Sequence, residues 1–276
     1  MNYRFTIIPT LIMAVLWAAP ALADNAGCLE CHDNSDAMLG FLHDKGEVQC
    51  TACHGDSSEH QQRPRTPPTV SFTPLGSGDQ LNGACLDCHD DGARIHWESV
   101  AHGDADVACN GCHSIHQKRD AVLVKNQQME VCVSCHKDVQ AQFNLPSHHP
   151  VKEGQALCAD CHASHGSTTD ASLAKASLND TCASCHREMQ GPFIFEHDPV
   201  AEDCGLCHKP HGSVLPSLLT SRPPFLCQQC HLAAGHPSRL PDGTSMNDLN
   251  IRAKSCGNCH SAVHGSNHPS GARLTR

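Results

Sequence analysis

The chain has 276 residues, a formal net charge of -10, 20 cysteines, 23 histidines and only 4% aromatic residues. So few aromatics cannot close an ordinary side-chain core of this size, and an acidic chain with no basic face lacks the electrostatic footprint of nucleic-acid binding. Whatever fills the interior must be supplied by something other than polypeptide.

The N-terminus reads as an export signal. Arg4 gives a short positive start, Phe5 to Pro20 is almost wholly apolar, and Ala21-Leu22-Ala23 is a small-residue cleavage site. Cleavage is expected between Ala23 and Asp24, giving a signal peptide over 1–23 and a mature chain over 24–276. The apolar run falls short of the roughly 20 residues a membrane-spanning helix needs, and Pro9 interrupts it. No later segment reads as a span. Removing Arg4 takes the charge from -10 to -11, and the expected compartment is the periplasm.

From Cys28 onward every cysteine lies in a Cys-x-x-Cys-His motif, ten in all, with none left over. The cysteine pairs are Cys28 and Cys31, Cys50 and Cys53, Cys85 and Cys88, Cys109 and Cys112, Cys132 and Cys135, Cys158 and Cys161, Cys182 and Cys185, Cys204 and Cys207, Cys227 and Cys230, and Cys256 and Cys259. This is the attachment pattern of c-type haem. Both thiols form thioethers to porphyrin vinyl groups, and the next residue ligates iron. Those proximal histidines are His32, His54, His89, His113, His136, His162, His186, His208, His231 and His260. A disulfide scaffold would not place a histidine after every pair, a zinc ribbon needs none there, and a thioredoxin-like pair would occur once. Ten covalently bound haem c groups, iron included, are therefore expected, with the porphyrins serving as the core.

Thirteen histidines lie outside the motifs, and ten fall into an alternating register. After most odd-numbered motifs a histidine follows 11 to 13 residues beyond the motif histidine: His43, His102, His149 and His197. After even-numbered motifs the gap is short: His60, His116, His165, His211 and His264. The ninth motif breaks the rule, with His236 five residues after His231. These ten are the candidate distal iron ligands, leaving His96, His148 and His268 over; His149 against His148 and His264 against His268 are open choices. A histidine three residues past its own motif histidine stays on the proximal side, so it is expected to serve a neighbouring haem. A full set of distal ligands closes every iron and describes an electron carrier with no open catalytic haem and no catalytic residue.

The alternation describes a single domain of five tandem two-haem units, about 28–84, 85–131, 132–181, 182–226 and 227–276. Local repeats agree: His165-Gly166-Ser167, His211-Gly212-Ser213 and His264-Gly265-Ser266. Tandem units contact mainly their neighbours, which for haems means a wire. The expected fold is a multihaem cytochrome c, mostly loops and short α-helices wrapped around a linear chain of ten haems, with little or no β-sheet. Helices are expected over Cys132 to Gln142 and Asp180 to Gln190, and surface loops over Gln61 to Gly83 and Pro237 to Asn250.

Four stretches carry a resemblance. Asp104-Ala105-Asp106-Val107-Ala108-Cys109, Asn179-Asp180-Thr181-Cys182, Cys227-Gln228-Gln229-Cys230-His231 and Val263-His264-Gly265-Ser266-Asn267-His268-Pro269-Ser270-Gly271 resemble the MtrA/DmsE-type periplasmic decahaem cytochromes. The likeness runs from about Cys28 to the C-terminus, although only Asp24 to Gly27 stand between the cleavage site and the first motif, where relatives carry a longer lead. It implies insertion in an outer-membrane β-barrel porin and electron transfer between a periplasmic or inner-membrane cytochrome donor and an extracellular multihaem cytochrome or molybdenum reductase. The respiration served would be that of metal oxides or dimethyl sulfoxide, or, running inward, ferrous iron oxidation. A soluble periplasmic shuttle needs the same haems. A nitrite or hydroxylamine enzyme is disfavoured: there is no Cys-x-x-Cys-Lys, and the one tyrosine, Tyr3, lies in the signal segment.

Overall fold

The computed structural model describes residues 25–32, 43, 45–46, 48–72, 76–231, 255–269 and 271–275. The signal segment, His236 and the Pro237 to Asn250 loop lie outside the described residues. The architecture is a succession of short helical turns joined by loops, with one two-stranded antiparallel sheet pairing Ser147–His148 with Gly212–Ser213. Isolated bridges join His162 to Leu173, Phe195 to Ser266 and His208 to Leu219. No described helix is long and apolar enough to cross a membrane.

Each motif is one helical turn. The backbone N–H of the motif histidine donates to the carbonyl of the first cysteine at 2.9–3.1 Å in motifs as far apart as Cys85–His89, Cys132–His136 and Cys256–His260. An i to i+4 bond brings both thiols and the imidazole to one side of a single turn. The turn ends at the histidine. His136 (φ -83°, ψ 65°) and His186 (φ -102°, ψ 48°) are outside the helical region. The two expected continuous helices are therefore each split: Gln128–Val133 from Lys137–Phe143, and Leu178–Ala183 from Arg187–Gln190. The expected loop between the second and third motifs is shortened at both ends by helices Ser58–Gln62 and Gly78–Leu86.

A side-chain clamp joins odd motifs to the even motifs that follow. Asn25, Asn82 and Asn179 each stand three residues before an odd motif's first cysteine. Their Oδ1 atoms accept the backbone N–H of Cys50 (2.8 Å), Cys109 (2.7 Å) and Cys204 (2.8 Å), the first cysteine of the next motif. Their Nδ2 atoms donate to the carbonyls of Val48, Val107 and Val200. In the third repeat the longer Gln128 does the same, one residue displaced, accepting from Ala159 N–H and donating to Val122 O. Both ends of the amide satisfy backbone groups left over at the start of a helical turn.

Little apolar core exists. Leu81, Trp97, Val100, Val133 and Phe143 are the buried hydrophobic residues among those described, and no large side chain is fully buried. A chain of this length ordinarily buries far more. The polypeptide is a shell arranged around paired cysteines and histidines.

Candidate haem-binding site

Nine of the ten candidate distal histidines stand across from a motif histidine. The pairs are His32 with His60, His54 with His116, His89 with His43, His113 with His165, His136 with His102, His162 with His211, His186 with His149, His208 with His264, and His231 with His197. Ring centroids are 5.8–6.2 Å apart in every pair, while interplanar angles run from 13° to 79°. Direct stacking would restrict the angle. A fixed distance with a free angle is the mark of a common object between the rings. Two metal–imidazole bonds of about 2 Å each, with each ring centre about 1 Å behind its nitrogen, require roughly 6 Å. The residues present therefore fit a haem iron held between two imidazoles. Among the described residues no three or more His, Cys, Asp or Glu side chains converge as a bare-ion site would need. The donors converge in twos, as a planar macrocycle with two axial positions requires.

The hydrogen bonds agree in sense. Nδ1 of His54 meets Val70 O (3.0 Å), that of His60 meets Thr66 O (2.7 Å), that of His162 meets Ala171 O (2.8 Å), that of His208 meets Ser217 O (2.7 Å) and that of His260 meets Arg273 O (2.6 Å). A carbonyl can only accept, so Nδ1 carries the proton and Nε2 keeps its lone pair for metal. His148 is different. Its Nδ1 bonds Leu145 O (2.6 Å) and its Nε2 bonds Glu153 (3.3 Å), and both contacts raise its pKa. It is His149 that faces His186. Likewise it is His264, not His268, that faces His208. Burial, followed by the neighbouring motif imidazole, holds the pKa of His165, His211 and His264 down, which keeps them neutral.

No described distal histidine faces the histidine of the motif it follows. His102 follows the third motif and faces His136 of the fifth; His165 follows the sixth and faces His113 of the fourth. The same exchange links His149 and His211 to His186 and His162, and His197 and His264 to His231 and His208. Each exchange is clasped by a repeated hydrogen bond. Nδ1 of His102, His149 and His197 meets the carbonyl of Ser164 (3.2 Å), Pro210 and Val263 (2.8 Å), in each case the residue just before the returning distal histidine.

The His-Gly-Ser repeat serves this clasp. A side chain on Gly166 would bring its Cβ to 2.5 Å from Ala93 O, and one on Gly212 to 2.0 Å from Gln142 O. The serine that follows is an anchor: half-buried Ser167 donates Oγ–H to Leu173 O (2.8 Å) and buried Ser213 donates Oγ–H to Leu219 O (2.6 Å).

No two cysteines form a disulfide, which leaves every thiol of the ten motifs available for thioether attachment. First cysteines of neighbouring motifs meet in pairs: Cys85 hydrogen-bonds Cys109, lowering the Cys109 thiol to about 7, and Cys132 hydrogen-bonds Cys158, lowering that one to about 7. Cys28 with Cys50, Cys182 with Cys204 and Cys227 with Cys256 make the same contact. Consecutive motifs thus lie side by side along the chain.

Comparison with known proteins decides the family. The chain is 43% identical over 279 aligned residues to "Multiheme cytochrome MtrA" of Shewanella baltica (strain OS185), covering 94% of this chain and 82% of that protein. The chain belongs to the MtrA family of multihaem cytochromes. Models for a doubled CXXCH motif match residues 148–191 and 197–236, and one for the NrfB-like cytochrome c-type protein matches 50–126. "Cytochrome c-type protein NrfB" of Escherichia coli O6:H1 (strain CFT073) is 29% identical over 133 residues, 44% of this chain and 70% of that protein. The Haemophilus influenzae (strain Rd) protein of the same name is 29% identical over 105 residues, 34% and 46% respectively. This MtrA relative binds haem c through its CXXCH motifs and is an electron-transfer cytochrome rather than an enzyme.

The clamp residues Asn25, Asn82, Gln128 and Asn179 were not among the candidates. Their signal was present as Asn-x-x-Cys before three odd motifs. The anionic partner of His113, Asp120, was also missed.

Proposed function

We propose that this chain is a decahaem wire carrying electrons across the outer membrane. Haem supplies a one-electron ferric/ferrous couple at each motif. The nine facing imidazole pairs are the proposed axial pairs, and His236 with His260 is the proposed tenth. On this reading each interior two-haem unit sends one histidine forward and one back. His32 with His60 closes one end from within its own unit, and His260 with His236 closes the other. That symmetry accounts for the short gap after the ninth motif.

The observation that carries the reading is the common spacing of the facing rings, 5.8–6.2 Å, from His32 near one terminus to His264 near the other. With both axial positions supplied from the chain, no iron is left for substrate, and the residues' task is to hold ten redox centres in line. An acidic chain exported by its 1–23 segment into the periplasm cannot itself meet lipid, because unsatisfied backbone and charge are costly in a hydrocarbon layer about 30 Å thick. A porin barrel offers an apolar outside and a polar lumen. The partners are that barrel, a periplasmic or inner-membrane cytochrome donor, and an extracellular multihaem cytochrome or molybdenum reductase.

Liposomes holding an internal redox dye test this. The dye should be reduced from outside only when both the holoprotein and its barrel are present. Equal transfer by the barrel alone, or failure of the two to co-purify, would favour the soluble shuttle. Intact mass should show the 24–276 chain plus ten haems of about 0.6 kDa each by haem's own formula.

A further inference from the structure

Most imidazoles of the array whose Nδ1 partner is seen bond a neutral oxygen, but the motif histidine His113 bonds a carboxylate. Its Nδ1 lies 2.5 Å from Asp120 Oδ2. The carboxylate is mostly shielded, its side chain 14% exposed. It is also held fast: Oδ1 accepts the backbone N–H of Ser114 (3.2 Å) and of Val122 (3.4 Å). The corresponding loops after the sixth and eighth motifs do the same work without charge. There Ala171 (φ 54°) and Ser217 (φ 55°) adopt left-handed backbone, and their carbonyls accept from His162 and His208. A non-glycine residue in that region is strained, because its Cβ crowds the neighbouring carbonyl. Asp120 replaces a strained carbonyl with an anion. Glu188 also lies near a motif histidine, but at 3.7 Å from His186 Nδ1 and well exposed it is beyond hydrogen-bond reach.

An anion accepting the Nδ1 proton pushes electron density through the ring to Nε2. A more basic ligand stabilises ferric over ferrous iron. Resting on the axial pairing above, we propose that Asp120 is a positioning residue that acts through His113 to set the reduction potential of the fourth motif's haem below the value neutral acceptors would give. The wire then carries a built-in low step between its third and fifth centres. Arg94 is the cation whose charge is felt across the pair at His165, but it is itself paired with Asp91. It does not cancel an anion in direct contact with the ligand.

The test is a spectropotentiometric titration of holoprotein with electron paramagnetic resonance alongside. D120N keeps the shape and an oxygen acceptor but removes the charge. One-tenth of the haem absorbance should move to higher potential, the other nine-tenths should superimpose on wild type, and every haem should stay low-spin. D120E should return that wave toward its original position, which a purely structural role for Asp120 would not require. The converse variant is Q142E, since Gln142 Oε1 lies 3.3 Å from His211 Nδ1; it should move one-tenth of the absorbance to lower potential. This arm stands even if D120N fails to mature. Superimposed titrations for D120N, or for Q142E, with all haems low-spin would overturn the tuning role and leave the axial pairing intact. If H165A instead left every haem low-spin, the pairing of His113 with His165 would fall and the proposal with it.

Discussion

Truncating His211 to alanine separates pairing across units from pairing within a motif. His211 lies three residues after His208 in sequence, yet its ring is 6.0 Å from that of His162. His208 faces His264 instead. H211A should therefore open one iron in ten, the one attached at Cys158 and Cys161, and leave the iron at Cys204 and Cys207 closed. The thioethers are untouched, so the haem count by mass should not change. The magnitude is set by stoichiometry: a high-spin ferric signal of one-tenth of total iron, and one equivalent of cyanide taken up per protein, because an open sixth position admits exogenous ligand. Location is read by epistasis. In a C158S/C161S background, where the sixth haem cannot attach, H211A should add no further high-spin iron. If it still adds one equivalent there, His211 serves another haem and the cross-unit argument is wrong.

Three further outcomes follow from contacts elsewhere. Asn179 makes bonds of 2.8, 2.9 and 3.1 Å to Cys204 N–H, Val200 O and Ala201 O; at about 1 kcal/mol each, N179A should destabilise the holoprotein by roughly 2–3 kcal/mol in guanidinium unfolding followed by Soret circular dichroism. N179D keeps the acceptor and loses the donor, and should fall between the two. G212A would place a methyl 2.0 Å from Gln142 O, so the His211 strand must shift, and spectra should show the same one-tenth high-spin fraction as H211A; a wild-type spectrum would show the shell to be more yielding than its contacts suggest. H236A should likewise yield one high-spin haem, and C256S/C259S should abolish that effect, since His260 is its proposed counterpart; an effect surviving in that background would assign His236 elsewhere.

Much of the chemistry could be read from spacing because covalent attachment demands a fixed local pattern. The ten motifs and the candidate distal histidines are visible by count and register alone. Which ring stands across from which is not, because the pairs join residues such as His43 with His89 and His149 with His186, and sequence distance carries no information about that approach. The choice of His149 over His148 depends on where Leu145 O and Glu153 sit around the latter. The helices expected around Cys132 and Cys182 are each broken: apolar and polar periodicity continues through the motif, but the motif histidines His136 and His186 leave the helical region. The asparagine clamp was written plainly before three odd motifs, but a polar residue beside a haem site has many possible uses until its partner is seen.

The exchange of histidines proposed between neighbouring two-haem units would have a consequence for how such a chain can grow. A unit with one outgoing and one returning histidine is open at both sides, like a link. Inserting another such link in the middle leaves every iron satisfied, because the newcomer accepts what its neighbours offer and offers what they need. Adding one at either end does not, since His60 already closes on His32 and an outer link would find its forward and backward arms without destinations. If the facing rings are the axial pairs proposed above, genetic duplication would lengthen the array from within, by two haems at a time. On that pairing the length of the array would come in discrete steps, with the unit closed by His32 and His60 kept as a stopper.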